Sequence, residues 1–120
     1  MTATTAELAP TTTGNDVLVW PEVAALLADH GLRPSYRQVD YWTRVGYVRA
    51  EERTYAGSGH WRVWSRDEVA ILAAMLRLMG AGVELREAAA MARAGITTRS
   101  LTVQPGPDLT LHVGPGVWTV

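Results

Sequence analysis

The chain has 120 residues, of which 48% are hydrophobic and 19% charged, the composition of one ordinary globular domain with tails. It contains no Cys, which excludes disulfide scaffolds, thiolate metal sites and thiol nucleophiles. A formal net charge of −1 and an isoelectric point near 6.3 exclude a protein that coats nucleic acid through bulk positive charge.

The charge is nevertheless unevenly placed. All eleven basic residues are Arg, and seven of them (Arg33, Arg37, Arg44, Arg49, Arg53, Arg62 and Arg66) fall in residues 33–66 against three carboxylates, Asp40, Glu51 and Glu52. This segment carries +4 in a chain of net −1. Codon bias in a GC-rich genome accounts equally well for the use of Arg in place of Lys, but bias is indifferent to position. A basic segment in an otherwise acidic chain is the footprint of a localised phosphate contact.

Residues 1–16 are rich in Thr and Ala, have no periodic apolar face and are expected to form a disordered tail. They lack the basic start and apolar run of a signal peptide, and no stretch approaches 18 apolar residues, so a soluble cytoplasmic protein with no membrane partner is expected. Val17 to Trp20 is a short apolar lead-in. Pro21 suits a first helical position because its missing N–H would be unpaired there. A helix is expected from Pro21 to Asp29 with Val23, Leu26 and Leu27 inward, stopped by Gly31.

Ser35 and Gln38 form an S-x-x-Q capping box that opens a second helix. At about 100° per residue, Tyr36, Val39 and Trp42 fall on one side and Arg37, Tyr41 and Arg44 on the other. Three groups able to bind phosphate or base edges thus point the same way before Gly46 stops the helix. Two helices joined by a turn of about four residues that contains Gly, the second with a basic outward stripe, are a helix-turn-helix signature. A merely solvated amphipathic face is the plainer alternative.

Tyr47-Val48-Arg49, Arg53-Thr54-Tyr55 and His60-Trp61-Arg62-Val63-Trp64 then alternate with period two around Ala56-Gly57-Ser58-Gly59, which predicts a β-hairpin. Small tip residues leave backbone N–H groups free to approach a phosphate, with Arg53, His60 and Arg62 flanking them. A plain surface hairpin would show the same alternation; the position directly after a basic helix favours a DNA-binding wing.

Ser65-Arg66-Asp67-Glu68 is an S-x-x-E box that opens a third helix reaching about Met79. It is apolar at Val69, Leu72, Ala73 and Leu76 and again at Ile71, Met75 and Leu78, so both faces must be buried. This places it between a DNA-binding module and some other element. Gly80-Ala81-Gly82 breaks it, and an Ala-rich fourth helix is expected from Val83 to Ala94, inward at Leu85, Ala88, Ala89 and Ala92. Residues 96–120 alternate at Leu101 to Val103 and Leu109 to Val113 around Pro/Gly turns, with Val117 to Val120 as a possible further strand. A hairpin alone is marginal in water. It must therefore pack on the outer stripe of the third helix, on Val17 to Trp20, or on a second subunit.

The runs YRQVDYWTRVGYV, GSGHWRVWSRDEVAIL and LRLMGAGVELREA resemble the N-terminal domain of MerR-family regulators, notably members from actinobacteria and actinophage, over about residues 20–95. The resemblance implies a mainly α fold with small β: a winged helix-turn-helix of four helices and a wing hairpin over residues 17–95, followed by a short C-terminal β segment over residues 96–120. It also implies that the second helix enters the major groove through Arg37, Gln38, Tyr41 and Arg44, and that Arg62 is the wing arginine. Together with the residue-level reading, the expected DNA contacts are Ser35, Tyr36, Arg37, Gln38, Asp40, Tyr41, Arg44, Arg53, Ser58, Gly59, His60 and Arg62.

Two departures from the family stand out. Asp40 occupies a position where many members carry Arg; it is expected to orient Arg37 or Arg44 or, failing that, to accept from a cytosine amino group. Only 25 residues follow Gly95, where family members continue into a long dimerisation helix and an effector domain.

His30, His60 and His112 have no ligand spacing, no nucleophile triad or phosphate loop is present, and no catalysis, metal or cofactor is expected. The function expected is a sequence-specific double-stranded DNA-binding regulator of transcription, acting at the nucleoid as a homodimer or cooperative multimer, with RNA polymerase as a protein partner. The alternative is an excisionase-like architectural factor that works with a recombinase. A module that offers its basic face to an acidic protein is a weaker third reading.

Overall fold

The computed structural model describes residues 17–55 and 59–120. The expected tail at residues 1–16 and the expected hairpin tip at residues 56–58, Ser58 included, lie outside the described residues. The chain divides into two compact units, Met1–Val69 and Ala70–Val120.

The first unit begins with strand β1 (Val17–Val19), followed directly by helix α1 (Trp20–Asp29) and helix α2 (Tyr36–Arg44), then strands β2 (Glu51–Tyr55) and β3 (Gly59–Ser65). The apolar lead-in is therefore a strand. It pairs antiparallel with β3, Leu18 opposite Trp64, and β3 lies at the centre of a three-stranded sheet with β2 on its other edge. Tyr47-Val48-Arg49, read as part of the alternating run, precedes β2 and belongs to no strand. Its three amides explain this: the Tyr47 and Val48 N–H groups both donate to the Trp42 carbonyl, at 2.9 and 3.3 Å, and that of Arg49 donates to the Glu68 carboxylate, so none is left for a ladder.

Helix ends follow the local chemistry of the chain. Glu22 reaches back to the Val19 N–H at 3.1 Å, and Pro21 occupies the first turn of α1. In α2 the Ser35 hydroxyl accepts from the Gln38 N–H at 3.1 Å, while the Gln38 side chain accepts from the Ser35 N–H at 3.3 Å, so the capping box is closed in both directions. Gly46, with φ of +92°, ends α2 in a left-handed turn in which its own N–H bonds to the Thr43 carbonyl and that of Tyr47 to Trp42. Gly31, at φ of +77°, closes α1 in the same way. Between the cap residues His30 and Ser35 lie four residues, and the order helix, turn, helix, strand pair is compatible with a winged helix-turn-helix.

The buried apolar residues of this unit are Leu18, Val23, Leu27, Val39, Trp42, Val48, Val63, Trp64 and Val69. Each large one removed from water contributes about 1.5–3 kcal/mol. The Trp64 indole N–H donates to the Thr43 hydroxyl at 3.3 Å, which itself donates to the Val39 carbonyl at 2.7 Å, so the polar edge of a buried ring ties β3 to α2.

Helix α3 (Arg66–Gly80) starts at Ser65, whose hydroxyl accepts from the Glu68 N–H at 3.2 Å, while the Glu68 carboxylate takes the Arg49 N–H at 2.7 Å. Every residue from Val69 to Met75 is buried, as two apolar faces require.

In the second unit, helix α4 (Leu85–Ala94) starts two residues later than its apolar pattern suggested, because the Glu84 side chain caps the Arg86 and Glu87 N–H groups. Strands β4 (Leu101–Gly106) and β5 (Leu109–Val113) pair antiparallel. Leu101, Val103, Val113 and Val117 pack on a cluster of Leu78, Ala88 and Met91, so the hairpin meets α4 and Leu78, the last residue of the outer stripe of α3. The further strand considered at Val117 to Val120 is instead a single 3-10 turn, Pro115–Trp118. The Trp118 ring is buried there with its N–H on the Ala92 carbonyl at 2.9 Å, and the Arg77 guanidinium lies within 3.0 Å of the carbonyls of Gly116, Val117 and Thr119. These bonds fold the segment back on itself and take carbonyls that a strand would offer to a neighbour.

Candidate nucleic-acid interface

Helix α2 separates its residues by face. Val39 and Trp42 are buried, whereas Arg37, Gln38, Tyr41 and Arg44 are exposed, so the outward stripe read from helical spacing is present. Tyr36, on the inward side by spacing, is 47% exposed because it sits in the first turn, at the rim of the core. Its ring meets Trp20 edge to face at 5.4 Å, and Trp20 in turn meets Trp64 at 6.3 Å. These rings anchor the start of α2 to α1 and β3. Trp20, Tyr36, Trp61, Arg62 and Trp64 line a shallow hollow of about 200 Å³ beside the helix.

Asp40 flanks the outward stripe, on the side where α2 meets β3. Its two carboxylate oxygens accept from different guanidiniums, Oδ2 from Arg44 Nε at 3.1 Å and Oδ1 from Arg62 Nη1 at 2.6 Å. Of the two arginines expected to be oriented by Asp40, Arg44 is held. Arg37 instead points to solvent, and Arg62, on β3, completes the pair. The hydrogen bond from Arg62, reinforced by Arg44, keeps the Asp40 carboxyl below its usual pKa and hence charged. Arg44 also lies over the Tyr41 ring, 5.8 Å from its centroid.

The remaining expected contacts fall on the strand pair. Arg53 bonds to Glu51 at 3.0 Å, and this carboxylate offsets part of the charge expected of it. In the ladder Arg62 lies opposite Glu52, and His60 opposite Thr54, while Gly59 pairs with Tyr55 at the tip end of β3. Ser35 and the Gln38 carbonyl oxygen are engaged in capping, which leaves the Gln38 amide N–H₂ as its outward donor. The bond between Asp40 and Arg62 spans 22 residues, and no spacing rule in the sequence indicates it. Among the described residues no cluster of His, Asp and Glu could hold a metal ion, and no helix is long and apolar enough to cross a membrane.

A capped helix after a four-residue turn, with a basic outward stripe and an adjoining strand pair, has the layout of a helix-turn-helix reader. Comparison with known proteins gives relatives of that description. An uncharacterized HTH-type transcriptional regulator of Mycobacterium bovis, and two from strains of Mycobacterium tuberculosis, are each 39% identical to this chain over 51 residues. The match covers 42% of this chain and 23% of each relative. No protein-family model and no solved structure matches the chain.

Proposed function

We propose that the protein is a sequence-specific double-stranded DNA-binding regulator of transcription with a MerR-like winged helix-turn-helix. Helix α2 enters the major groove through Arg37, Gln38, Tyr41 and Arg44, while Ser35 and Tyr36 at its start approach the backbone. The strand pair serves as the wing, with Arg53, Ser58, Gly59, His60 and Arg62 along the flanking phosphates. The observation that carries this reading is the exposed Arg37, Tyr41 and Arg44 stripe on a helix whose opposite face is buried. The names of the mycobacterial relatives support it.

A single module of this size makes few base contacts, so binding as a homodimer or cooperative multimer is part of the proposal, with RNA polymerase as a protein partner at the nucleoid. An excisionase-like architectural role is the second reading. It is favoured by the strand pair that follows α4, where a MerR-type regulator would continue into a dimerisation helix.

Nuclease footprinting on genomic DNA separates the two. An inverted repeat with half-sites about one helical turn apart supports the regulator, whereas tandem direct repeats with strong bending support the architectural factor. Absence of protection at moderate salt and micromolar protein sinks both.

A further inference from the structure

We propose that Asp40 is a specificity-determining residue of the α2 face: its carboxylate holds the Arg44 and Arg62 guanidiniums in place and, as an anion set between them, suppresses sequence-independent attachment to duplex DNA. The inference rests on the reading of this face as the DNA-binding one.

Asp40 is the one acidic residue in α2, and it lies on the helix assigned to the groove, in reach of the charges that would meet phosphate. The two pairs differ in exposure. Arg44 remains 60% exposed while paired, and an ion pair at such a site contributes little to folding. Arg62 and Asp40 are 23% and 26% exposed, so their bond also ties β3 to α2, and stability accounts for that half of the arrangement only. The geometry is that of a two-sided clamp. Each oxygen engages a single nitrogen of one guanidinium, Nε of Arg44 and Nη1 of Arg62. A guanidinium carries five N–H donors in a rigid fork, so both arginines keep donors to offer outward while their planes are fixed.

The two consequences act differently on the two kinds of complex. Repulsion between a carboxylate and phosphates is the same for every sequence, so it weakens random and cognate complexes alike. A fixed guanidinium plane helps only where a base edge or a well-placed phosphate matches it, as in the cognate complex. Asp40 therefore lowers affinity for random DNA and widens the gap between cognate and random.

The test uses the full chain, a pool of random-sequence duplexes, and a duplex selected from that pool by the unsubstituted protein, with binding followed by fluorescence anisotropy across a salt series. Asp40→Asn should bind the pool roughly three- to tenfold more tightly at 0.1 M salt, with a salt slope steeper by about one. The ratio of selected to random affinity should fall. Asp40→Glu keeps the charge and should keep the slope, while losing part of that ratio through its altered geometry. In an Arg44→Gln, Arg62→Gln background Asp40→Asn should no longer change the ratio of selected to random affinity, because no guanidinium is left to hold, while its effect on the salt slope should remain.

If Asp40→Asn, with an unchanged circular dichroism spectrum, binds the pool no more tightly and with the same slope, the clamp is wrong and the DNA-binding reading stands. An unfolded Asp40→Asn would likewise overturn it, since Asp40 would then be structural. If the unsubstituted protein selects no duplex at all, it is the proposed function that fails.

Discussion

Asp40 shows how one side chain couples local and distant charge. Because its folded-state pKa is lowered, chiefly by the bond from Arg62, its contribution to stability is present in full above the ordinary carboxylate range. That contribution is lost as pH falls through the lowered folded value. The difference in chemical-denaturation midpoint between the parent and Asp40→Asn should therefore be constant near neutrality and shrink on acidification below about pH 4. A gap independent of pH down to pH 2 would contradict the pairing. Arg37 and Arg62 make a second contrast at this scale. Arg37 is exposed on the proposed groove face, and a bidentate guanine contact is worth about 1–3 kcal/mol of discrimination. Arg37→Ala should thus relax preference at one base pair in a binding-site selection. Arg62→Ala should weaken binding to every duplex and flatten the salt slope by about one. It should also lower the ratio of selected to random affinity, since one of the two guanidiniums held by Asp40 is lost.

At the scale of the element, α2 depends on both of its ends. The helix has nine residues, too short to persist on propensity alone, so its caps and its buried Val39 and Trp42 must hold it. Ser35→Ala removes the acceptor for the Gln38 N–H and should cost about 0.5–2 kcal/mol in urea denaturation. At Gly46 a Cβ would meet no atom within 4 Å, so the cost of Gly46→Ala is purely that of a left-handed backbone, about 1–2 kcal/mol. A neutral Gly46→Ala would contradict a left-handed turn at the end of α2. The end of α1 is built the same way at Gly31. The relative angle of the two helices is thus set between a glycine stop and a serine start, four residues apart.

At the scale of the whole molecule, the chain carries two compact units, and each contains a buried Trp whose N–H is satisfied. In the second unit Trp118 fills the space above Gly95, where any Cβ would overlap its indole ring. Trp118→Ala should destabilise that unit by about 3–5 kcal/mol, visible as an early transition in thermal or urea unfolding, because it opens a cavity and leaves the Ala92 carbonyl without its donor. This is a large share of the roughly 5–15 kcal/mol that holds a domain folded. The net charge of −1 belongs to the same scale: it is the sum of a segment of +4 over residues 33–66 and −5 over the remainder, so the charge is separated along the chain.

The features legible in the sequence are those whose partners lie within one helical turn. The capping box at Ser35, the Gly31 and Gly46 stops, the outward Arg37, Tyr41 and Arg44 stripe and the two-faced α3 all rest on spacings of three or four residues, and a hydrogen bond or a face at that range needs no knowledge of the fold. The remainder was decided by tertiary structure. Val17 to Val19 became a strand because β3 offered an open edge 46 residues away in the register Leu18 to Trp64. Asp40 found Arg62 because that register brought β3 beside α2. The last residues turned into a 3-10 loop because Arg77 and Ala92 captured its polar groups. Such pairings depend on which chain ends the closed loops bring together, and loop closure costs nearly the same free energy for many competing partners. The sequence by itself therefore determined the helices, their ends, a basic outward face and an acidic residue within one turn of Arg44; only the packed chain decided that the same carboxylate would also hold Arg62 of β3.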